Sequence, residues 1–307
     1  MTKLSEIRMR DPFIVEPTPG QFVLFGTTDA NLWGGPGTGF DCYTSSDFEN
    51  WSGPVAAFRP PADFWADTQF WAPEVHGYQG RYFMLATFAS SSPKVRGTAV
   101  LVADQPTGPY LPWSEGPVTP PELPCLDGTL FVDETSTPWI VYSRGAEGTE
   151  WTPALADGEM YARRLTPDLR AGIGDPILLF KSSSAPWSKP LWFPPGVEPP
   201  EELGLAKDPL FTDGAFLVST NSGLLMLWSA FGEAGYAMGV ARSTSGLVTG
   251  PWVQSDQSLW AKNGGHGMIL RRSDGTDLLV FHAPNDTPNE RVVAAKVNIR
   301  DTDIQLA

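Results

Sequence analysis

DPFIVEPTPGQFVLFGT, residues 11–27, sets two apolar runs, DPFIVE and QFVLFGT, on either side of a turn rich in Pro and Gly. Short apolar, β-branched runs bounded by such a turn read as two antiparallel strands. The Asp-Pro at the head suits a turn that enters a strand. One such hairpin says little. This one gains meaning because it recurs.

QFVLFGT (21–27) has counterparts in RYFMLAT (81–87), PWIVYS (138–143), LLMLWS (224–229) and LLVFHA (278–283). An apolar segment precedes each: DPFIVE (11–16), PEVHGY (73–78), DGTLFVDE (127–134), DGAFLVS (213–219) and GHGMILRR (265–272). A third strand follows each pair: FDCYTS (40–45), TAVLVAD (98–104), EMYARRL (159–165), YAMGVARS (236–243) and RVVAAKV (291–297). SGPVAAF (52–58), TGPYLPW (107–113) and TGPWVQS (249–255) add fourth strands after Gly-Pro turns. Four-stranded antiparallel sheets repeated five times are the blades of an all-β, five-bladed β-propeller. The expected blades cover roughly 8–59, 70–119, 125–181, 210–260 and 265–307, as one domain over 1–307, with a Pro-rich insert at 184–207. Trp187, Trp192 and Phe193 make that insert either a rim decoration or a substrate wall.

Composition supports this reading. The chain has 307 residues, 41% hydrophobic, with 31 Gly, 30 Pro and 12 Trp, and no long Ala/Leu/Glu/Lys helical pattern. The net charge of −14, with no basic run, argues against a nucleic-acid partner. No apolar stretch is long enough to span a membrane. MTKLSEIRMRDPF has no apolar leader core, so a cytoplasmic location is expected. Cys42 and Cys125 are expected to be buried free thiols. GGPGTG (34–39) lacks the Lys-Ser/Thr helix start of a phosphate cradle and reads as a flexible loop at the funnel mouth. Ser143 and Ser229 lack a GxSxG elbow. His76 is expected to pack or face solvent, while His282 lies at a strand end near the axis.

In a propeller every inner strand starts at one mouth of the central channel. The expected heads are Asp11, Glu74, Asp127, Asp213 and His266. Four carboxylates and a histidine on one axis shift one another's pKa values, which suggests a functional cluster. Paired carboxylates suit glycoside hydrolysis: one stays protonated to assist the leaving oxygen, the other is ionised to activate water. Trp33, Phe70, Trp71 and Phe216 lie near these heads and offer flat apolar faces to a sugar, as Glu74 and His266 offer polar contacts.

RDPFIV (10–15), FWAPEV (70–75), LDGTLFVDE (126–134), TDGAFLV (212–218) and GGHGMI (264–269) together resemble glycoside hydrolase family 43. The likeness runs in order through nearly the whole chain. It implies an inverting glycosidase of oligosaccharides, exo-acting on terminal α-L-arabinofuranosides or β-D-galactofuranosides, or on β-xylosides. It implies that Asp11 is the general base and that Asp127 tunes and orients the acid. His266 would help hold a hydrated cation, often calcium, on the axis; no cofactor is otherwise required. The family's acid is usually a Glu in a Glu-Gly-Pro setting, whereas this chain has Thr212-Asp213-Gly214-Ala215. Asp213 is the expected proton donor, with Glu150 and Glu74 as alternatives. A non-catalytic sugar-binding propeller and a protein-interaction scaffold are the rival readings.

Overall fold

The computed structural model describes residues 1–149, 152–191 and 204–307. Glu150, Trp192 and Phe193 lie outside the described residues. The chain forms the expected five-bladed propeller, and each blade is laid down in sequence order from the axis outward. Blade one runs Arg10–Thr18, Gln21–Thr27, Phe40–Ser45 and Asn50–Phe58, with Thr2–Lys3 added at its outer edge. Blade two runs Thr68–Tyr78, Arg81–Ser91, Lys94–Ala103 and Leu111–Pro112. Blade three runs Cys125–Val132, Pro138–Arg144, Glu159–Leu165 and Gly172–Lys181. Blade four runs Asp213–Ser219, Leu224–Gly232, Gly235–Ser243 and Trp252–Gln254. Blade five runs Gly265–Arg271, Asp277–Ala283, Arg291–Ile299 and Ile304–Leu306. The only helical segments among the described residues are two 3-10 turns, Leu4–Glu6 and Ser182–Ser184.

Middle strands are apolar on both faces because each blade is sandwiched between two others. Pro138–Arg144 is buried along its whole length. The core accordingly splits into five clusters, one at each blade interface. Phe40, Phe58, Phe70 and Phe88 fill the space between blades one and two. Trp228, Trp187 and Phe180 fill that between blades three and four. The ring closes where the inner strand of blade five packs on that of blade one. Arg8 bridges to Arg291 there, and its guanidinium meets buried Glu290 at 3.2 Å.

Trp187 does not form a substrate wall. Its ring centroid lies 4.7 Å from that of Trp228, inside the core. Gly239 makes this possible: a Cβ there would come within 2.3 Å of the indole. Both cysteines are buried free thiols, and burial pushes Cys42 up to about 11 and Cys125 up to about 12.

Candidate active site

All five inner strands break register within their first residues. At each break one residue takes a left-handed backbone conformation: Asp11 (φ 50), Ala72 (φ 46), Asp127 (φ 55), Gly214 (φ 49) and His266 (φ 54). A β-bulge of this kind re-aims a side chain. It also turns the backbone N–H sideways toward the neighbouring blade. Thr27 Oγ accepts the Ala72 N–H at 2.8 Å, Thr87 Oγ that of Asp127 at 2.8 Å, and Ser229 Oγ that of His266 at 2.8 Å. The Asp11 N–H goes instead to a ring nitrogen, His282 Nδ1, at 3.1 Å. The left-handed strain, about 1–3 kcal/mol for a residue other than Gly, is thus held by hydrogen bonds running from blade to blade.

The geometry brings Asp11, Asp127 and Asp213 around His266. Its Nδ1 is 3.2 Å from Asp11 Oδ1 and 3.7 Å from both Asp127 Oδ2 and Asp213 Oδ1. Thr27 donates its hydroxyl to Asp11 Oδ2 at 2.6 Å, Thr87 to Asp127 Oδ1 at 3.1 Å, and Tyr236 to Asp213 Oδ2 at 2.7 Å. Asp213 Oδ1 is buried with no ordinary donor. A proton shared between it and Asp127 gives that oxygen a partner.

The three carboxyls differ in protonation. Burial works against ionising Asp11, but the facing His266, then His282, Arg10 and the Thr27 hydroxyl outweigh it, and the group is held below its usual range. Burial lifts Asp127 to about 6. Burial, then the negative charge of Asp127, holds Asp213 well above the carboxylate range. The site therefore offers an ionised carboxylate and a protonated one, on two sides of one imidazole.

Other expected site residues lie elsewhere. Glu74 is not a strand head; Ala72 occupies that position. Glu74 sits two residues deeper, 6% exposed, and pairs with His76 at 3.1 Å. His76 packs on Phe13 at 5.2 Å, and Phe13 meets Phe216 at 6.0 Å, so these rings plug the channel below the carboxylates. Glu74 is thus a channel-packing group, while Phe216 stays partly exposed beside Phe13. Phe70 is 1% exposed within the aromatic core, which removes it as a sugar contact. Trp33 is 65% exposed and stands edge-on to Trp71, which donates its indole N–H to the Leu32 carbonyl at 2.6 Å. The 34–39 loop that follows is pinned rather than free, because Asp29 accepts both the N–H and the hydroxyl of Thr38 at 2.6 and 3.0 Å.

Sequence reasoning missed Thr27, Thr87 and Tyr236, and named Ser229 only to set it aside as a nucleophile and His282 only as a strand end near the axis. A signal existed for Thr27, Thr87, Ser229 and His282: each ends the apolar run of its blade's second strand, in QFVLFGT, RYFMLAT, LLMLWS and LLVFH. A polar residue at the same place in successive apolar strands marks one layer of the propeller.

The sequence profile of Glycosyl hydrolases family 43 matches residues 4–304. No curated protein matches the chain. Among solved structures, an endo-arabinase from Bacteroides thetaiotaomicron is 37% identical, with a TM-score of 0.84 and 99% of each chain covered. A thermostable family-43 glycoside hydrolase is 20% identical, with a TM-score of 0.77, covering 97% of this chain and 92% of that one. An exo-1,5-α-L-arabinanase from a bovine ruminal metagenomic library is 16% identical, with a TM-score of 0.68, covering 100% and 98%. The latter two share the fold. With its motifs in order, its five blades and its axial carboxylates, the chain belongs to glycosyl hydrolase family 43.

Proposed function

We propose that this glycoside hydrolase cleaves α-L-arabinofuranosidic bonds with inversion, Asp11 acting as general base and Asp213 as general acid. The opposite protonation of these two groups around His266 carries the reading. Asp11 Oδ1 takes a proton from water as it attacks the anomeric carbon, and Asp213 gives its proton to the departing sugar oxygen. Asp127 keeps Asp213 protonated. The nearer oxygens of Asp11 and Asp213 lie at most about 7 Å apart through the shared imidazole nitrogen; inversion is carried by the family resemblance and the opposite protonation of the two groups. Asp213 is shorter than the usual Glu, so the sugar must sit deep against Tyr236.

The 37% identity to an endo-arabinase supports arabinose over xylose or galactofuranose, and favours cutting within a chain over the terminal action expected from sequence. Asp127, Asp213 and His266 could converge on an ion, their ligand atoms being within 4.8 Å of one another. Calcium takes six to eight oxygens, more than these three residues supply, so a cation held here would keep most of its shell as water.

Proton NMR of products from linear arabinan tests the proposal. The first-formed sugar should carry the inverted anomeric configuration; retained configuration refutes the assigned roles. Early release of oligomers marks internal cutting, and monomer alone marks terminal action.

A further inference from the structure

His282 is the exception among the interblade hydrogen bonds. At the blade-two and blade-three heads a threonine does two things at once. Thr87 Oγ accepts the Asp127 N–H and donates its own proton to Asp127 Oδ1. Thr27 Oγ accepts the Ala72 N–H and donates to Asp11 Oδ2. His282 occupies the corresponding register, opposite Gly265, as Thr27 lies opposite Arg10 and Ser229 opposite Asp213. An imidazole nitrogen that accepts a hydrogen bond has no proton to give.

Two independent contacts fix the tautomer. Nδ1 accepts the Asp11 N–H at 3.1 Å, so it is bare. Nε2 faces Asn285 Oδ1 at 3.2 Å, and that oxygen already accepts Arg10 at 2.6 Å, so Nε2 is the donor. The ring is fully buried and stacks on Tyr236 at 5.7 Å. Asp11 Oδ1 lies 3.5 Å from the bare Nδ1 and receives no proton from it. Burial pushes His282 down to about 3, which keeps it neutral beside Asp11, His266 and Arg10.

We propose that His282 is a positioning residue for the base: it holds Asp11 by its backbone while withholding from Asp11 Oδ1 the hydroxyl proton that Thr or Ser would donate. Oδ2 is satisfied by Thr27 and Oδ1 already faces His266 Nδ1 at 3.2 Å, so a further proton from residue 282 would take the lone pair that Oδ1 has left for water. This rests on Asp11 being the general base. The charged and titratable groups that face Asp11 are Arg10, His266, His282, Asp127, Asp213 and Tyr236.

The test is His282→Ser, which keeps an acceptor for the Asp11 N–H and adds a donor to Oδ1. A donor to a carboxylate lowers its pKa by about one unit. The acidic limb of kcat/KM should move down by about that much, and kcat should fall several-fold to about tenfold with KM little changed. A folded His282→Ser enzyme with wild-type kcat and limb overturns the proposal. Should that variant not fold, Asn285→Ala decides. It frees the tautomer while keeping the ring, and the same shift is expected; an unchanged profile overturns it. Long-range proton–nitrogen NMR of the wild-type ring reads the tautomer without any substrate: a protonated Nδ1 refutes the proposal outright. If instead Asp11→Ala keeps full activity, it is the assignment of the base that fails.

Discussion

Replacing Asp127 by Asn removes one negative charge from beside Asp213 and replaces the proton they share with an amide N–H donated to Asp213, and both changes favour ionised Asp213. The Asn Oδ1 still accepts from Thr87, and the main-chain N–H still reaches Thr87 Oγ. The facing atoms of Asp127 and Asp213 lie within 4.8 Å of each other. At an effective dielectric constant of about 20, unit charges that far apart interact by roughly 3.5 kcal/mol, or about 2.5 pH units. His266 between them reduces this, so the pKa of Asp213 falls by less than that amount. Asp213 works protonated, so lowering its pKa moves the alkaline limb of kcat/KM to lower pH by the same amount. The assay is a pH series on an arabino-oligosaccharide, whose leaving group needs the proton. On a nitrophenyl arabinofuranoside the limb should hardly move. An oligosaccharide limb that stays put or rises refutes the coupling of Asp127 to the acid.

Asp127 also bears on stability. Its folded pKa, about 6, is above the unfolded value, so the stability it contributes is present below pH about 4 and lost as pH rises through 6. Asp127→Asn should therefore melt higher than wild type at pH 8, and the gap should close by pH 4 in a calorimetric series. Thr27→Val leaves the Ala72 N–H without an acceptor and removes the donor to Asp11 Oδ2. It should cost about 1–3 kcal/mol in denaturant unfolding and move the acidic limb upward, opposite to His282→Ser. Trp33→Ala should raise KM on arabinan several-fold with an unchanged melting temperature, since the ring is exposed; a large loss of stability would make Trp33 a packing residue. Cys42 and Cys125 should resist a thiol reagent until the chain is unfolded.

The propeller was legible because its strands are buried on both faces, and continuous apolar runs punctuated by Gly and Pro carry that signature. Asp11, Asp127 and His266 were legible as heads because the bulge falls on them; in blade four the bulge falls on Gly214, and Asp213 reaches the axis from one residue before it. Glu74 was misplaced because FWAPEV puts its acid two residues beyond the bulge, and only the backbone shows that Ala72 is the head. Phe70 was misjudged because adjacency along a strand does not say which face a side chain takes. The long fourth strand of blade three, Gly172–Lys181, carries Pro176 and no Gly-Pro turn ahead of it, so its pairing had no turn signal. The role of His282 was out of reach, since it depends on which ring nitrogen meets a backbone N–H of another blade.

The division of labour between Asp11 and Asp213 is tested most directly by changing the leaving group. Asp213→Ala and Asp11→Ala are each assayed on an arabino-oligosaccharide and on nitrophenyl α-L-arabinofuranoside. A general acid is needed for the sugar leaving group and hardly for nitrophenolate, whereas the base is needed for both. Asp213→Ala should lose about 10²–10⁴-fold on the oligosaccharide and keep much of its rate on the aryl substrate, while Asp11→Ala should be severely impaired on both. Equal losses on both substrates for Asp213→Ala, with the leaving-group dependence appearing instead in Glu150→Gln or Glu74→Gln, would contradict the assignment of Asp213 as the acid.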